Sequence, residues 1–446
     1  MKTLPNGEVI FNDIGLNIPK LLLPRETTPD FWKSWACVAC DQYTSQPDYW
    51  QRVEAATAGK ISTFHLMLPE IYLEESDVDS RIEAINRTMS DYIDRDVLQE
   101  QSPSVMLVER DTKVSPVRKG VVLALDLEAY DFNKGSGSLV RATEGTVVER
   151  IPPRMKIRKH AALEMPHVMI LIDDPDRTVV EPLFEADSQV IYDFDLMENG
   201  GHVTGRRVTD QTAIEKTATA LKALCDPRHF TEKYGVAEDT PVLLYAVGDG
   251  NHSLASAKCH WEELKKQGAA PEHPARYALV EVVNIHDEGI LFEPIHRVLF
   301  GANPNQFFDE LEGYFTDKAS YMENIVDMGT ETVEYPGCHT VRYIGATGKG
   351  HIFIDKQVHT LAVGAFQEFL DYYLKGHPES RVDYIHGDDV VAELGSQPGN
   401  MGFYLPPISK NDFFKTVIEN GSLPRKTFSM GEAFEKRYYI ECRKIL

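Results

Sequence analysis

The chain has 446 residues, 42% hydrophobic and 26% charged, which is the make-up of an ordinary globular protein too long for one small core. Acidic residues outnumber basic ones by 69 to 46, and the resulting net charge of −23 repels phosphate backbones and argues against non-specific nucleic-acid binding. No apolar run approaches the ~20 residues of a membrane helix. The polar start MKTLPNGEVIFNDIG lacks the apolar stretch of a secretion signal, so a cytoplasmic protein without a membrane partner is expected.

In chain order, residues 27–60 read as helical, with aromatic anchors Phe31, Trp32, Trp35, Tyr43, Tyr49 and Trp50. Cys37 and Cys40 follow tryptophans rather than a strand entering a βαβ unit, and no second CxxC accompanies them. Two small semi-buried residues are expected there rather than a redox or zinc site. Ser76 to Leu98 places Val78, Ile82, Ile85, Met89, Ile93 and Val97 at helical spacing. From Ser104 the period changes, and SVMLVER and KGVVLALDLEAY read as strands, followed by a turn at Lys134–Ser138. Further strands are expected in HVMILIDD, TVVEPLF, RYALVEVVNI and GILFEPIHRVL, with a helix from Thr212 to Cys225.

After Gly301 the pattern gives a helix at FFDELEGYF, strands between Val333 and Asp355, and a helix from Leu361 to Leu374. The strand VDYIHG, the helix DDVVAEL, the strand MGFYLPPI, the helix NDFFKTVIENG and a last strand near Lys436–Cys442 complete the chain. Interleaved strands and helices predict a mixed α/β body. The provisional division falls near Gly301, giving regions 1–300 and 301–446.

The richest segment runs from Pro241 to Lys258. Val242 to Val247 form an apolar run expected of a strand buried on both faces. Gly248 and Gly250 bracket Asp249 in a tight turn, and Asn251 or Ser253 is expected to cap a helix over Ser253–Gln267 that stops at Gly268. Such a helix start gathers unpaired N–H groups and the positive end of the helix dipole, a natural anion site within reach of Asp249 and His252. The same residues would also serve a βα turn that only satisfies its own backbone.

Three other segments carry chemistry. The stretch Arg141–Arg154, continued by Lys156 and Arg158, concentrates Arg141, Arg150 and Arg154 beside Glu144 and Glu149. Guanidinium forks suit phosphate, and Glu144 or Glu149 could act as a base or a magnesium ligand; the alternative is a charged loop pairing its own residues. His296 and Arg297 end the strand candidate GILF, where they either edge an active site or fill a structural role. The third is the basic run Leu423–Ser429. No GxSxG, HExxH or GxxxxGK[ST] motif occurs.

Taken together, the Arg141–Arg154 block, Asp249-Gly250-Asn251-His252, Pro294-Ile295-His296-Arg297 and the Pro424–Phe428 run resemble the prokaryotic proteins of domain-of-unknown-function family 1015, over nearly the whole chain. Members of that family commonly carry Asp-Gly-His-His-Arg at the turn. That pattern is similar to the phosphate-binding turn of the ParB/sulfiredoxin-like group, which includes free-serine kinases. The resemblance implies a ParB/sulfiredoxin-like element embedded in a larger body, with nucleotide phosphates resting on the helix N-terminus and phosphoryl transfer or nucleotide hydrolysis as the chemistry. Asn251 stands where the first His would be and Ser253 where the Arg would be, which removes one phosphate clamp.

The expected function is phosphoryl transfer from ATP or ADP, with Mg2+, to a small serine-like hydroxylated metabolite. Gly250, Asn251, His252 and Ser253 would cradle the phosphates, and Arg141, Arg150, Arg154 and Arg297 would neutralise them. Glu144 or Asp249 would act as base or magnesium ligand, and His296 would hydrogen-bond the acceptor or a phosphate oxygen. The rivals are a non-catalytic sensor of a nucleotide or phosphometabolite, and a phosphatase for small phosphoesters.

Overall fold

The computed structural model describes residues 1–146, 148–316, 318–323, 335–424 and 426–446. Strands and helices interleave along the chain, which makes it a mixed α/β protein. It divides into two compact units, Met1–Leu291 together with Gly431–Leu446, and Phe292–Met430. The division expected near Gly301 falls inside the second unit, and the C-terminal segment belongs to the first. Among the described residues no helix is long and apolar enough to cross a membrane.

A 12-stranded sheet organises the first unit. Its central strands are β1 (Val105–Asp111), β2 (Arg118–Asp126), β3 (Val140–Ala142), β4 (Met169–Ile172), β5 (Tyr245–Asp249) and β6 (Tyr277–Asn284). β1 and β6 flank β2, both antiparallel to it; β4 lies parallel to β6, β5 antiparallel to β4, and β3 parallel to β5. Two helices of this unit, α1 (Ile151–Arg158) and α2 (Asn251–Lys266), pack against each other.

The long apolar runs of β2 and β6 follow from burial on both faces, because successive side chains point to opposite sides. Val122, Ala124, Tyr277 and Leu279 enter one core with Trp32, Trp35 and Trp50, against Ile82, Ile85 and Met89 of the helix Val78–Asp94. Val121, Leu123, Ala278, Val280 and Val282 enter a second core with Leu254, Ala257 and Trp261 of α2. The same period carries Glu281 to the first face. There Arg437 donates to its carboxylate at 2.5 Å, and Arg118 approaches within 3.7 Å. Gly120 on β2 leaves the space, since a Cβ there would come within 2.3 Å of Glu281 Oε1.

Several expected elements differ in extent. Residues 27–60 form two helices, Pro29–Trp35 and Pro47–Thr57, each opened by a proline and separated by the short strand Cys37–Val38. The helix expected to reach Leu98 ends at Asp94, because Asp96 takes φ +57 and turns the chain. TVVEPLF yields a 3-10 turn at Glu181–Glu185 rather than a strand, with Pro182 at its start. The hairpin Gln189–Asp195 with His202–Val208 and the helices Gln211–Leu224 and Pro227–Tyr234 also belong to the unit. Val147, Val333 and Arg425, which fall in expected segments, lie outside the described residues.

The second unit holds a six-stranded antiparallel sheet ordered Ala319–Glu323, Lys349–Asp355, Cys338–Gly345, Asn400–Tyr404, His296–Phe300 and Arg381–Ile385. Aromatic packing joins the sheet to its helices, with Phe307 against Phe369, Tyr373 and Phe403 at ring-centroid distances of 5.1, 5.3 and 5.1 Å.

Replacing Glu281 with Ala leaves part of the Arg437 fork uncompensated in a dry core. Breaking a buried pair by removing one partner costs about 3–5 kcal/mol. The midpoint of urea unfolding followed by tryptophan fluorescence is therefore expected to fall markedly, and an unchanged midpoint would refute this role.

Candidate functional site

Because β3 and β5 run parallel, with Ala142 opposite Val247, their C-terminal loops emerge at the same sheet edge. The loop after β3 carries Thr143 and Glu144; the turn after β5 is Asp249–Gly250. Gly250 takes φ +81, a conformation that suits glycine, and a Cβ there would also press on Val168 at 3.0 Å. Helix α2 starts at Asn251, two residues earlier than expected, and no side chain caps it.

The expected caps are otherwise engaged. Asn251 Oδ1 accepts from the Thr143 N–H at 3.3 Å, and Ser253 Oγ bonds His167 Nε2 at 2.8 Å. Thr143 Oγ1 also donates to Val247 O at 2.6 Å, which ties the loop bearing half-buried Glu144 to the helix start. The first turn of α2 thus keeps N–H groups without i−4 acceptors, at the positive end of the helix dipole.

Charge around this turn is specific. Asp249 accepts from the Gly250 N–H at 2.9 Å and pairs with Lys436 at 3.2 Å. Burial pushes its pKa up, but Lys436 and then His167 outweigh that and hold the carboxyl below its usual value. Engaged in this way, Asp249 is poorly placed as a base or a magnesium ligand. His252 is pushed down to about 4, first by burial and then by Arg154 and Arg150, with Asp41 acting the other way. The imidazole is therefore neutral near pH 7 and sits in the field of two guanidinium groups. Among the described residues no group of three or more His, Cys, Asp or Glu side chains could hold a metal ion.

The arginines divide by task. Arg150 is exposed, on the turn leading into α1. Arg154 donates to Glu70 through Nε at 2.8 Å and to Arg150 O through Nη1 at 2.7 Å. Arg141 does not point at the turn for ligand binding: its fork is filled by Ser138 O, Pro241 O and Val242 O at 2.8, 2.6 and 3.1 Å, pinning the segment before β5. That buried position pushes its pKa down to about 10. Glu149 is exposed.

His296 and Arg297 belong to the second unit. His296 Nδ1 accepts from the Leu405 N–H at 3.1 Å, so Nε2 carries the hydrogen directed at Asp388, 2.9 Å away. Arg297 is fully buried, donating to Gln367 Oε1 and to the carbonyls of Ile295 and Lys426, with Tyr384 stacked on it at 4.5 Å. Within its unit this arginine has a structural use.

Sequence reasoning gives no chemical role to His167, Lys436 or Tyr439, and reads Cys40 with Cys37 as small semi-buried residues; Cys37 is buried and Cys40 half-buried. His167 Nδ1 lies 2.7 Å from Tyr439 Oη, which itself is 3.2 Å from Cys40 Sγ. Cys37 and Cys40 are free thiols, both held protonated by burial. Beside Cys40 opens a cavity of about 150 Å³. Its lining is mainly apolar, from Leu66, Leu68, Met89, Ile157, Leu254 and Leu279, with Ser253, His167, Arg154 and Glu70 on its polar side. Of His167 the sequence shows only that it opens the run HVMILIDD.

Among curated proteins none matches the chain. Solved structures overlap it in part. A conserved hypothetical protein from Pyrococcus furiosus shares 12% identity at a TM-score of 0.34, covering 72% of this chain and 94% of its own. A free serine kinase variant in complex with ADP shares 10% at a TM-score of 0.38, covering 73% and 92%. SbnI with a C-terminal truncation, from Staphylococcus aureus, shares 10% at 0.33, covering 72% and 82%. At such scores the overlap carries no argument about the reaction. The sequence itself does match a family model across residues 22–384, and the chain belongs to that family, proteins of unknown function DUF1015.

Proposed function

We propose that the N-terminus of α2 binds the phosphate groups of a small ligand, a nucleotide, and that the protein transfers a phosphoryl group to a small hydroxylated metabolite. The observation that carries this reading is the uncapped helix start behind Gly250, faced by a neutral His252 that senses both Arg150 and Arg154. In a chain of net charge −23, this is a local concentration of donors and positive charge. Phosphoryl transfer asks mainly for positioning and charge neutralisation. The amides of Asn251, His252 and Ser253 cradle the phosphates, His252 donates a hydrogen bond as a neutral imidazole, and Arg150 supplies the mobile charge.

Glu144 acts as the base, set beside the helix start by the Thr143 bonds to Asn251 and Val247. With Asp249 paired to Lys436, the donor set does not fit a magnesium ion held by that carboxylate, and no step is assigned to a metal. A sensor that binds without turnover is the second reading. It is favoured by Arg154 being bonded to Glu70 and by Ser253 standing in the turn without a guanidinium.

Titration calorimetry with ADP and ATP tests binding. Arg150→Ala is expected to lose a charge-assisted contact of about 1.5–3 kcal/mol, roughly a ten- to hundredfold weaker affinity. Binding that is unaffected by Arg150→Ala, or absent in the wild type, would refute the site. Glu144→Gln is expected to abolish nucleotide-dependent turnover while leaving the dissociation constant nearly unchanged, because a base acts in the transition state. Tight binding by a wild type that turns over no acceptor selects the sensor.

The protonation of His252 gives an independent check. A bound phosphate favours the imidazolium and raises its pKa above the free value of about 4. Binding then takes up protons below neutral pH, and affinity rises as pH falls through the complex's pKa toward about 4. Calorimetry in two buffers of different ionisation enthalpy measures the uptake at pH 5.5 to 6, about one unit under the ordinary histidine value. His252→Ala is expected to remove it.

A further inference from the structure

Ser253 and His167 are joined in a way that a helix-capping serine is not. A serine in the first turn ordinarily turns its hydroxyl to the backbone. Here Oγ lies 2.8 Å from His167 Nε2, and no side chain caps the helix. The hydrogens along the chain of bonds can be assigned. Cys40 N–H donates to Tyr439 Oη at 3.3 Å, and the Tyr439 hydroxyl donates to Cys40 Sγ at 3.2 Å. With the tyrosine hydrogen on the sulfur, the oxygen meets His167 Nδ1, at 2.7 Å, as an acceptor, and Nδ1 carries the ring hydrogen. Nε2 is left as a lone pair aimed at the Ser253 hydroxyl, which is the tautomer a general base requires.

The surroundings complete the arrangement. Ser253 and His167 both line the cavity of about 150 Å³, whose walls are mainly apolar, chiefly leucine and methionine, with Glu70, Arg154, Arg158 and Glu164 among them. Such a volume admits an apolar group about the size of benzene. The positive end of α2 lies at the serine, where an oxyanion would form. The Asp249 carboxylate is close enough for its charge to interact with that of His167. It would stabilise the imidazolium formed when the serine loses its proton.

We propose that Ser253 is a nucleophile and His167 its general base, and that the pair hydrolyses carboxylic esters whose small apolar acyl group enters this cavity. Ser253 Oγ bonds to the ester carbonyl carbon and its proton passes to His167 Nε2. The bond from that carbon to the alcohol oxygen breaks, and the alcohol leaves with the proton from Nε2. Water then adds to the acyl carbon, giving a proton to Nε2. The bond to Oγ breaks, the proton returns to Ser253, and the carboxylic acid departs. No oxidant or further reactant is needed, and nucleotide binding at the turn is not required.

Full-length protein treated with a fluorophosphonate probe is expected to carry one adduct, mapped by peptide mass spectrometry to Ser253. Hydrolysis of p-nitrophenyl butyrate is expected to fall by on the order of 10²–10⁴-fold in His167→Gln, and to fall to background in Ser253→Ala. Tyr439→Phe removes the acceptor of the His167 Nδ1 hydrogen and acts through positioning, so it is expected to shift the pH–rate profile. Should Ser253→Ala fail to fold, Ser253→Cys keeps the size, and its alkylation by iodoacetamide is expected to slow when His167→Gln is added. A folded wild type with no adduct at Ser253, hydrolysis that survives Ser253→Ala, or alkylation of Ser253→Cys indifferent to His167 each overturns the assignment.

Discussion

Glu281 lies midway along a strand whose eight residues are all buried, and Arg437 meets it at 2.5 Å from a part of the chain 156 residues away. A carboxylate at that depth is costly unless paired and hydrogen-bonded. Its pairing therefore dictates where the C-terminal segment must run. Arg437 also bonds Glu441 at 2.5 Å, and Glu441 accepts from Tyr192. Six residues on, Arg443 clasps Glu164 at 2.9 Å and the carbonyl of Tyr277 at 2.7 Å. Between these anchors, Tyr438 and Tyr439 pair with Val38 and Cys37. Lys436 consequently arrives at Asp249 and Tyr439 at His167. The candidate site inherits its geometry from a core ion pair.

Electrostatically the site opposes the molecule that carries it. An overall charge of −23 would keep anions at a distance, yet the first turn of α2, Arg150, Arg154 and Lys436 gather in one place. Most of those cations are matched locally, Arg154 by Glu70 and Lys436 by Asp249. What is left over is a helix dipole and an exposed guanidinium, beside an imidazole kept neutral. That combination holds a ligand by directed donors more than by bulk attraction, so its strength depends on geometry at short range.

The sequence disclosed the turn because three local signals coincide there: an apolar run, two glycines around Asp249, and polar residues opening a helix. It overstated the strand, which begins only at Tyr245, since the Arg141 fork holds the carbonyls of Pro241 and Val242 outside the sheet. Composition singled out arginines but could not tell their uses apart. Arg141 and Arg297 serve main-chain carbonyls in the interior, while Arg150 faces solvent; the difference lies in burial, which a local pattern does not encode. His167 and Tyr439 are separated by 272 residues, and neither stands in a motif. Contacts at that range are set by the register of β4 and of the C-terminal strand, not by neighbours in sequence.

The return of residues 431–446 to the first unit also sets an order of events during synthesis. The sheet that receives them is made early, but the arginine that neutralises Glu281 emerges 156 residues later. At ordinary elongation rates of ~5–20 residues per second, that interval is about 8–30 s. Throughout it the nascent first unit holds a carboxylate in its future core with Arg118, at 3.7 Å, but without the closer Arg437, and the short strand Cys37–Val38 without Tyr438–Tyr439. Residues 292–430 form a compact unit of their own and can finish in the meantime. The chain thus has a long unfinished state on the ribosome, in which holding by a chaperone would matter more than speed of folding, and a ribosome that stalls before residue 437 releases a protein unable to close its own core.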